Sequence, residues 1–284
     1  MIAIAKRTRR RILFFIRDAK QGLIANSALG KRLHLKWKTN HDILDLITTS
    51  GCNSMCFDCS QMCRQAPARE RITLDQVKKM ITESIKAKRK WKKIVVSGGE
   101  STLEDNFFKI LELLREYRQK HNKRVKLVLL TNGRGEKVKK ILKSVPQDIR
   151  VLNSKKTGSY HPAFISINAA PIDHPLFQNA NFKAGCRLTR QCGGALNWNG
   201  YYCCSTASAI DRIMGFGMGR KKLPPRSEQF LDQKDVLCRF CGNFLSCDYK
   251  KEKGYQSKSW KLALERYNKR NRPENIPTKL AQAK

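Results

Sequence analysis

Short apolar runs ending in glycine or asparagine recur along residues 41–170. A β-branched, apolar run over residues 43–49 predicts a strand that leads into a loop. Runs over 94–96 and 125–130 predict two further buried strands, and those over 151–152 and 164–167 predict two more. The first three runs are each followed by a glycine-containing loop.

Stretches with helical spacing separate these runs. Thr73 and Gln76 form a capping-box pattern that predicts a helix to about Lys88. Apolar residues at helical spacing predict further helices over 107–117 and 138–142. The alternation of strands and helices predicts an α/β fold of parallel strands covered by helices. The loops at the carboxyl ends of such strands usually carry the chemistry.

The pattern changes at Pro171, where glycine, asparagine, cysteine and aromatic residues follow one another with little periodicity. Seven of the eleven cysteines lie beyond this point. The division predicted from the sequence is a basic extension over 1–40, the α/β part over 41–170, a small loop-rich metal module over 171–250 and a basic helix or tail over 251–284. Bound metal would supply part of the module's stability.

The chain is strongly basic, with 58 Lys and Arg against 23 Asp and Glu and a formal net charge of +35. Such an excess indicates an anionic substrate or partner, or a solvated charged surface. No apolar run approaches the ~18 residues that a membrane helix needs, and basic residues interrupt the apolar start of the chain. We therefore expect a cytoplasmic protein without a membrane span, in which thiols serve as metal ligands or catalysts rather than as disulfides.

Three cysteines follow the first predicted strand: Cys52, Cys56 and Cys59 stand three and then two residues apart. Such a group fits a [4Fe–4S] cluster held by three thiolates, with one iron left open for a ligand. The alternative is a tetrahedral zinc site completed by Cys63.

With Ser97-Gly98-Gly99-Glu100 after the second strand and residues 128–133 at the third, this cysteine loop resembles the radical S-adenosylmethionine (SAM) enzymes. The resemblance implies a partial (β/α)6-type parallel barrel over residues 41–170, in which the open iron takes the amino and carboxylate groups of SAM. The cofactor-binding residues it implies are Phe57, Gly98, Gly99, Glu100, Asn132 and Ser166. Asp58 stands where the family usually has an aromatic residue.

The later cysteines resemble the SPASM or shorter twitch extension, which carries auxiliary iron–sulfur clusters. Seven cysteines are too few for two clusters with four thiolates each, so we expect one. Its predicted ligands are Cys186, Cys204, Cys238 and Cys241. Cys192 could replace one of them, and Cys203 or Cys247 would be spare. A zinc site with four cysteines is the alternative.

The resemblance implies reductive cleavage of SAM to a 5′-deoxyadenosyl radical, which takes a hydrogen atom from a substrate carbon. An auxiliary cluster would accept an electron or bind the substrate, so the expected outcome is oxidation or modification of a sugar-like or anionic small molecule, or of a peptide. The implied electron donor is a flavodoxin or ferredoxin. A nucleic-acid partner is less favoured, because basic and aromatic residues are not interleaved in the flanks. The alternative from another class is a non-catalytic zinc protein that docks polyanions.

Overall fold

The structure is a computed structural model that describes residues 16, 19–68, 70–156, 165–245 and 254–270. The strands are β1 (Ile43–Ile47), β2 (Lys93–Ser97), β3 (Lys126–Thr131), β4 (Arg150–Asn153), β5 (Gly194–Asn197) and β6 (Gly200–Tyr202). The helices are α1 (19–25), α2 (Ala28–Arg32), α3 (Leu74–Lys86), α4 (Phe107–His121), α5 (Glu136–Lys143), α6 (Arg187–Gln191), α7 (Ser205–Met214), α8 (Leu231–Leu237) and α9 (Lys258–Arg270).

The six strands form one sheet in the order β4-β3-β2-β1-β5-β6. Every neighbouring pair from β4 to β5 is parallel, and only β6 runs antiparallel to its neighbour. The helices α3, α4 and α5 connect successive strands from β1 to β4. The predicted α/β fold with parallel strands is therefore confirmed, and its six-stranded, mostly parallel sheet is consistent with a partial radical SAM barrel.

The helix that follows the cysteine loop begins as the sequence predicts. Thr73 accepts a hydrogen bond from the backbone N–H of Gln76, and the Gln76 side chain accepts one from the Thr73 N–H. This reciprocal pair satisfies two backbone donors at the start of α3. The apolar side of α3 packs on the sheet through Val77 and Met80.

The strand expected over residues 164–167 is wrong for the residues described there. Phe164 lies outside the described residues, and Ile165 to Ile167 belong to no strand. The carbonyl of Ile167 accepts a hydrogen bond from the Gly242 N–H at 2.9 Å, and that of Asn168 accepts one from the Ser257 N–H at 3.0 Å. This backbone is therefore paired with loops from later in the chain instead of with a neighbouring strand.

The sheet continues beyond residue 171, which the lack of periodicity there does not suggest. Strand β5 pairs in parallel with β1, with Asp45 beside Ala195, and a two-residue turn at Trp198 and Asn199 leads into β6, where Gly200 lies beside Asn197. This turn has no glycine at its two central positions, so it lacks the Asn-Gly pattern that predicts a two-residue hairpin. The expected boundary at 170/171 thus does not coincide with an edge of the sheet.

The two faces of the sheet differ. Alternate strand residues, such as Leu44, Ile94 and Leu129, point to one face and form a core with α3 and α4. The opposite face carries Asp45 and Ser97, whose side chains are hydrogen-bonded to each other. The face opposite the α3 and α4 core thus carries polar side chains that can take part in chemistry.

A second core packs the later part of the chain against the end of β1. It includes Ile47, Tyr202, Leu237 and Trp260. In the part of the chain that is described, no helix combines the length and the apolar character required to cross a bilayer.

Candidate active site

The loop that carries the first three cysteines leaves the carboxyl end of β1 and is bound to the loop after β2. The Gly99 N–H donates to the Thr49 carbonyl at 2.8 Å, and the Glu100 N–H donates to the Gly51 carbonyl at 2.9 Å. A Cβ at Gly99 would stand 1.9 Å from the Gly51 oxygen, so no other residue fits here without a shift of the backbone. Gly98 and Gly99 therefore let the two loops pack backbone to backbone.

Glu100 joins this pair of loops to the loop after β3. Its side chain is fully buried, and its carboxylate accepts hydrogen bonds from Thr102 and Thr131, both at 2.8 Å, and from the Asn132 N–H at 2.7 Å. Charge-assisted bonds of this kind are stronger than neutral ones. Glu100 consequently holds three strand ends in register beside the cysteines.

Asn132 reaches from the loop after β3 to the first cysteine. Its side-chain nitrogen donates to the Asn53 side chain at 2.8 Å and lies 3.6 Å from the Cys52 sulfur. The predicted cofactor residues Gly98, Gly99, Glu100 and Asn132 are thus brought together around Cys52.

The cysteines of this loop interact with one another. Hydrogen bonding with the Cys63 thiol lowers the pKa of Cys52 to about 7 and the pKa of Cys59 to about 6. The same interactions with Cys52 and Cys59, together with burial, raise the pKa of Cys63 well above its usual range. Burial raises the pKa of the Cys56 thiol, and the nearby Lys156 opposes this rise. Cys63 thus lies close enough to Cys52 and Cys59 to belong to the same group of cysteines.

Phe57 and Asp58, which precede Cys59, have different environments. The Phe57 ring lies 3.6 Å from the Arg64 guanidinium and packs against Gly254. Asp58 has a positive φ of 56° and a buried side chain, and burial raises the pKa of its carboxyl. Its Oδ1 has no hydrogen-bond partner among the described residues. Such an atom is costly to bury unless a ligand satisfies it.

The four cysteines predicted in the second set converge, although they come from three separate segments. Each of Cys186, Cys204, Cys238 and Cys241 is buried and interacts electrostatically with the other three. Burial raises the pKa of Cys186 to about 11 and those of Cys238 and Cys241 well above their usual range. The mutual effect of the thiols acts in the same direction.

A buried lysine accompanies these four thiols. Lys234 on α8 has no exposed surface, and its ammonium donates to the Trp37 carbonyl at 3.0 Å. Burial lowers the pKa of Lys234, whereas Cys203, Cys238, Cys204 and Cys186 act to raise it. Lys234 takes part in none of the ion pairs found within the described residues.

Three further candidate residues, Cys192, Cys203 and Ser166, lie near the second set of cysteines. Cys192 interacts with Cys204 and Cys186, and burial raises its pKa to about 12. A hydrogen bond with Cys203 raises the pKa of Cys204. The backbone of Ser166 packs against Gly242, beside Cys241. Cys247 lies outside the described residues.

Both cysteine sets have donor atoms suited to iron–sulfur ligation. Within the described ranges, no three His, Cys, Asp or Glu side chains are already arranged as around a bound metal ion. The first set offers three thiols at strand ends with glycine backbone nearby, and the second offers four buried thiols. Thiolates are the usual ligands of iron–sulfur clusters and of structural zinc.

A cavity of about 220 Å³ lies between the two sets. Asp58 and Ser60 line it from the first loop, and Cys192, Cys204 and Ser205 line it from the second. None of the described residues that line it is a lysine or an arginine. It is the place where a small ligand would contact both regions.

The comparisons with known proteins agree with this geometry. The sequence model of the radical SAM superfamily matches residues 46–154, which include the first cysteine loop and strands β2 to β4. Residues 46–154 are therefore a radical SAM domain, and SAM-dependent radical chemistry is supported. No curated protein matches the chain.

The solved structures that are similar to the chain include two of BtrN. The crystal structure of BtrN in complex with AdoMet and 2-DOIA is 13% identical, with a TM-score of 0.45, and the match covers 77% of this chain and 99% of BtrN. A selenomethionine form of BtrN in an open conformation is 12% identical, with a TM-score of 0.38 and coverage of 78% and 96%.

Sequence reasoning missed three charged residues of the site: Asp45, Lys156 and Lys234. Asp45 interrupts the apolar run of β1, which was a visible signal. It is hydrogen-bonded to Ser97 and Ser205, and burial raises the pKa of its carboxyl. Lys234 stands four residues before Cys238, one helical turn away, which was a weaker signal. We see no local signal for Lys156.

Proposed function

We propose that this chain is a radical SAM enzyme that carries one auxiliary iron–sulfur cluster in residues 171–250. The proposed ligands of the first cluster are Cys52, Cys56 and Cys59. Those of the auxiliary cluster are Cys186, Cys204, Cys238 and Cys241. The observation that carries the proposal is the convergence of these four buried cysteines, three of which, Cys186, Cys204 and Cys238, act on the buried ammonium of Lys234.

Charge gives the physical reason. A lone ammonium without water costs several kcal/mol to bury, and within the described part of the chain the Lys234 ammonium donates one hydrogen bond, to the Trp37 carbonyl. Neutral thiols would not offset this cost. Thiolates bound to an iron–sulfur cluster carry negative charge, which would stabilise Lys234 where it lies. The twitch-like extension proposed for residues 171–250 rests on this argument together with the spacing of the cysteines.

When bound, the first cluster and SAM supply a 5′-deoxyadenosyl radical that takes a hydrogen atom from a substrate carbon. In this proposal, Glu100 and Asn132 position the cysteine loop through the hydrogen bonds described above. Gly98 and Gly99 keep backbone atoms close to the SAM site. Phe57 is proposed to pack beside this loop, and Ser166 to contact the ligand from the side of Cys241.

The cavity between the two cysteine sets is the proposed substrate site. Its volume of about 220 Å³ lies below the range of about 300–1,000 Å³ usual for ligand sites, so it limits the substrate to a small molecule; Asp58, Ser60, Ser205 and Asn243 favour hydroxyl or amino groups. Oxidation of a substrate alcohol to a carbonyl removes one hydrogen atom, one electron and one proton. Asp58 Oδ1 is the proposed proton acceptor, and the auxiliary site is the proposed electron acceptor. A flavodoxin- or ferredoxin-type protein would supply the electron that starts the reaction.

The test is the content of iron, sulfide and zinc per chain after purification without oxygen. About eight irons with matching sulfide are expected for two [4Fe–4S] clusters. About four irons with one zinc would retain the radical chemistry and reject the auxiliary iron–sulfur cluster. Zinc without iron, after an attempt to rebuild the clusters, would reject the enzyme and favour a zinc-binding protein.

A further inference from the structure

The largest concentration of positive charge in a described cavity lies away from the cysteines. This cavity of about 780 Å³ is formed where β1, β2 and β3 begin, at the amino ends of the parallel strands. The cysteine loop lies at the carboxyl ends. Strands of five or six residues separate the two places by roughly 16 Å. A ligand in this basic cavity would therefore not contact the candidate active site.

Six cationic side chains line the basic cavity, and Asp42 is the acidic residue among its described lining. The cations are Lys90, Lys92, Lys93, Lys123, Arg124 and Lys126. Asp42 is already bound by Lys92 at 2.8 Å and by Arg226 at 3.1 Å. The negative charge of Asp42 is thus shared between two cations. Most of the positive charge in the cavity is therefore not balanced by the acidic residue of its described lining.

Helix electrostatics explain only one of these cations. Lys90 donates to the His121 carbonyl at 2.7 Å, at the carboxyl end of α4, where a cation is favourable. Lys123, Arg124 and Lys126 are exposed and take part in none of the ion pairs within the described residues. A contribution to the stability of the fold therefore does not explain why these three cations lie here.

Two of the lysines are placed unfavourably for the fold. Lys93 on β2 and Lys126 on β3 are register partners in the parallel ladder, so they stand side by side on the same face. Like charges on neighbouring strand positions are destabilising. An anionic ligand that binds both would remove this repulsion.

We propose that the basic cavity binds the phosphate groups of a single-stranded nucleic acid. The cavity volume falls within the range of about 300–1,000 Å³ for ligand sites. Its cations lie near the starts of the three strands β1, β2 and β3, and the apolar residues Ile43 and Trp91 also line the cavity. Six cations exceed the roughly four negative charges of a nucleoside triphosphate, which favours a strand over one nucleotide. The net charge of +35 would attract the strand over a longer range.

The experiment measures binding of a fluorescein-labelled 12-residue oligouridylate to the full chain by fluorescence anisotropy over a salt series. The test variant combines Lys123→Gln, Arg124→Gln and Lys126→Gln. The matched control combines Lys137→Gln, Lys140→Gln and Lys143→Gln on α5, which remove the same charge from exposed positions outside this cavity. Thermal melting by circular dichroism checks that both variants are folded.

We expect the test variant to bind about tenfold more weakly at 0.1 M salt, and the control to stay within about twofold of the unmodified chain. Each phosphate contact contributes about 0.7 to the slope of log affinity against log salt for single strands. Loss of three cations should therefore reduce that slope by about 2.

Three results would overturn the proposal. Absence of binding at about 0.05 M salt would show that the strand is not a ligand. Equal weakening in both variants would show attraction to the whole basic surface. Displacement of the oligonucleotide by ATP or a polyglutamate peptide at equal charge concentration would indicate a small-nucleotide site or an acidic protein partner. None of these readouts depends on a cluster or on SAM.

Discussion

The two cysteine sets of this chain differ in how their surroundings act on the thiols: the first includes two thiols whose pKa values are lowered, whereas burial raises the pKa values of the second. The first set lies in a loop at strand ends, where hydrogen bonds from Cys63 lower the pKa values of Cys52 and Cys59. The second set is buried, and burial raises the pKa values of its thiols. The first is therefore suited to a reactive site with an open position. The second is suited to a closed site in which every ligand is a thiolate.

The largest expected difference between the sets is their effect on SAM cleavage. Cys56→Ala should reduce formation of 5′-deoxyadenosine by at least about a thousandfold, because the first cluster would lose a ligand. Cys241→Ala should remove iron from the second site and leave SAM cleavage measurable. Iron per chain and 5′-deoxyadenosine by liquid chromatography check both variants. Equal loss of cleavage in the two variants, with the first cluster intact in Cys241→Ala, would contradict the division of roles.

The charge of the second set is tested through its buried cation. Lys234→Met should lower the free energy of unfolding by about 3 kcal/mol if the surrounding cysteines are bound thiolates, because their negative charge would be left unpaired. If the thiols are neutral, replacing a buried ammonium by an apolar side chain should be neutral or stabilising.

Lys183→Met is the matched control, since Lys183 is exposed and pairs with Asp235 at 3.8 Å. Surface pairs contribute little, so a change below about 1 kcal/mol is expected. Denaturant unfolding under anaerobic conditions measures both variants. A gain in stability in Lys234→Met would argue against a thiolate site.

The packing of the first loop is tested at Gly99. Gly99→Ala places a Cβ against the Gly51 carbonyl and should cost about 2 kcal/mol and reduce iron retention at the first site. Gly22→Ala is the control, because a Cβ there meets nothing within 4 Å and alanine favours the helix. Melting temperature and iron content are measured for both. Unchanged iron in Gly99→Ala would show that the loop does not need this close approach.

The smallest expected effect is a difference in thiol reactivity in the reduced, metal-free chain. At pH 7, Cys59 and Cys52 should react with iodoacetamide at least about tenfold faster than Cys186, because a thiol reacts as the thiolate. Raising the pH from 6 to 8 crosses the pKa of Cys52, about 7, and should increase its rate, while Cys186, with a pKa of about 11, stays protonated. Mass spectrometry of each peptide follows the rates. Faster labelling of Cys186 would show that the second set opens readily.

Local patterns predicted much of the α/β part. The run that became β1, the Thr73 cap and the helical spacing of α4 each rest on neighbours within a few residues. The expected strand at 164–167 failed because its backbone is hydrogen-bonded to Gly242 and Ser257, far along the chain. The sequence pattern of β5 and β6 was too short to be recognised by periodicity.

The candidate active site also combines residues that local sequence patterns predicted with contacts that only the fold brings about. Spacing alone singled out Cys52, Cys56 and Cys59, because they share one loop. The role of Glu100 in joining three strand ends depends on Thr131 and Asn132, which are brought near it by the sheet.

By itself, the sequence determined the order of strands and helices from β1 to β4, the first cysteine loop with its glycine partner, and the large positive charge. Only the tertiary structure decided that four cysteines from distant segments converge beside Lys234 and that the cations of three strand starts line one cavity. The reason is physical. Local propensity and capping act between near neighbours, whereas burial, electrostatic interaction and cavity shape depend on segments that meet only when the sheet has formed.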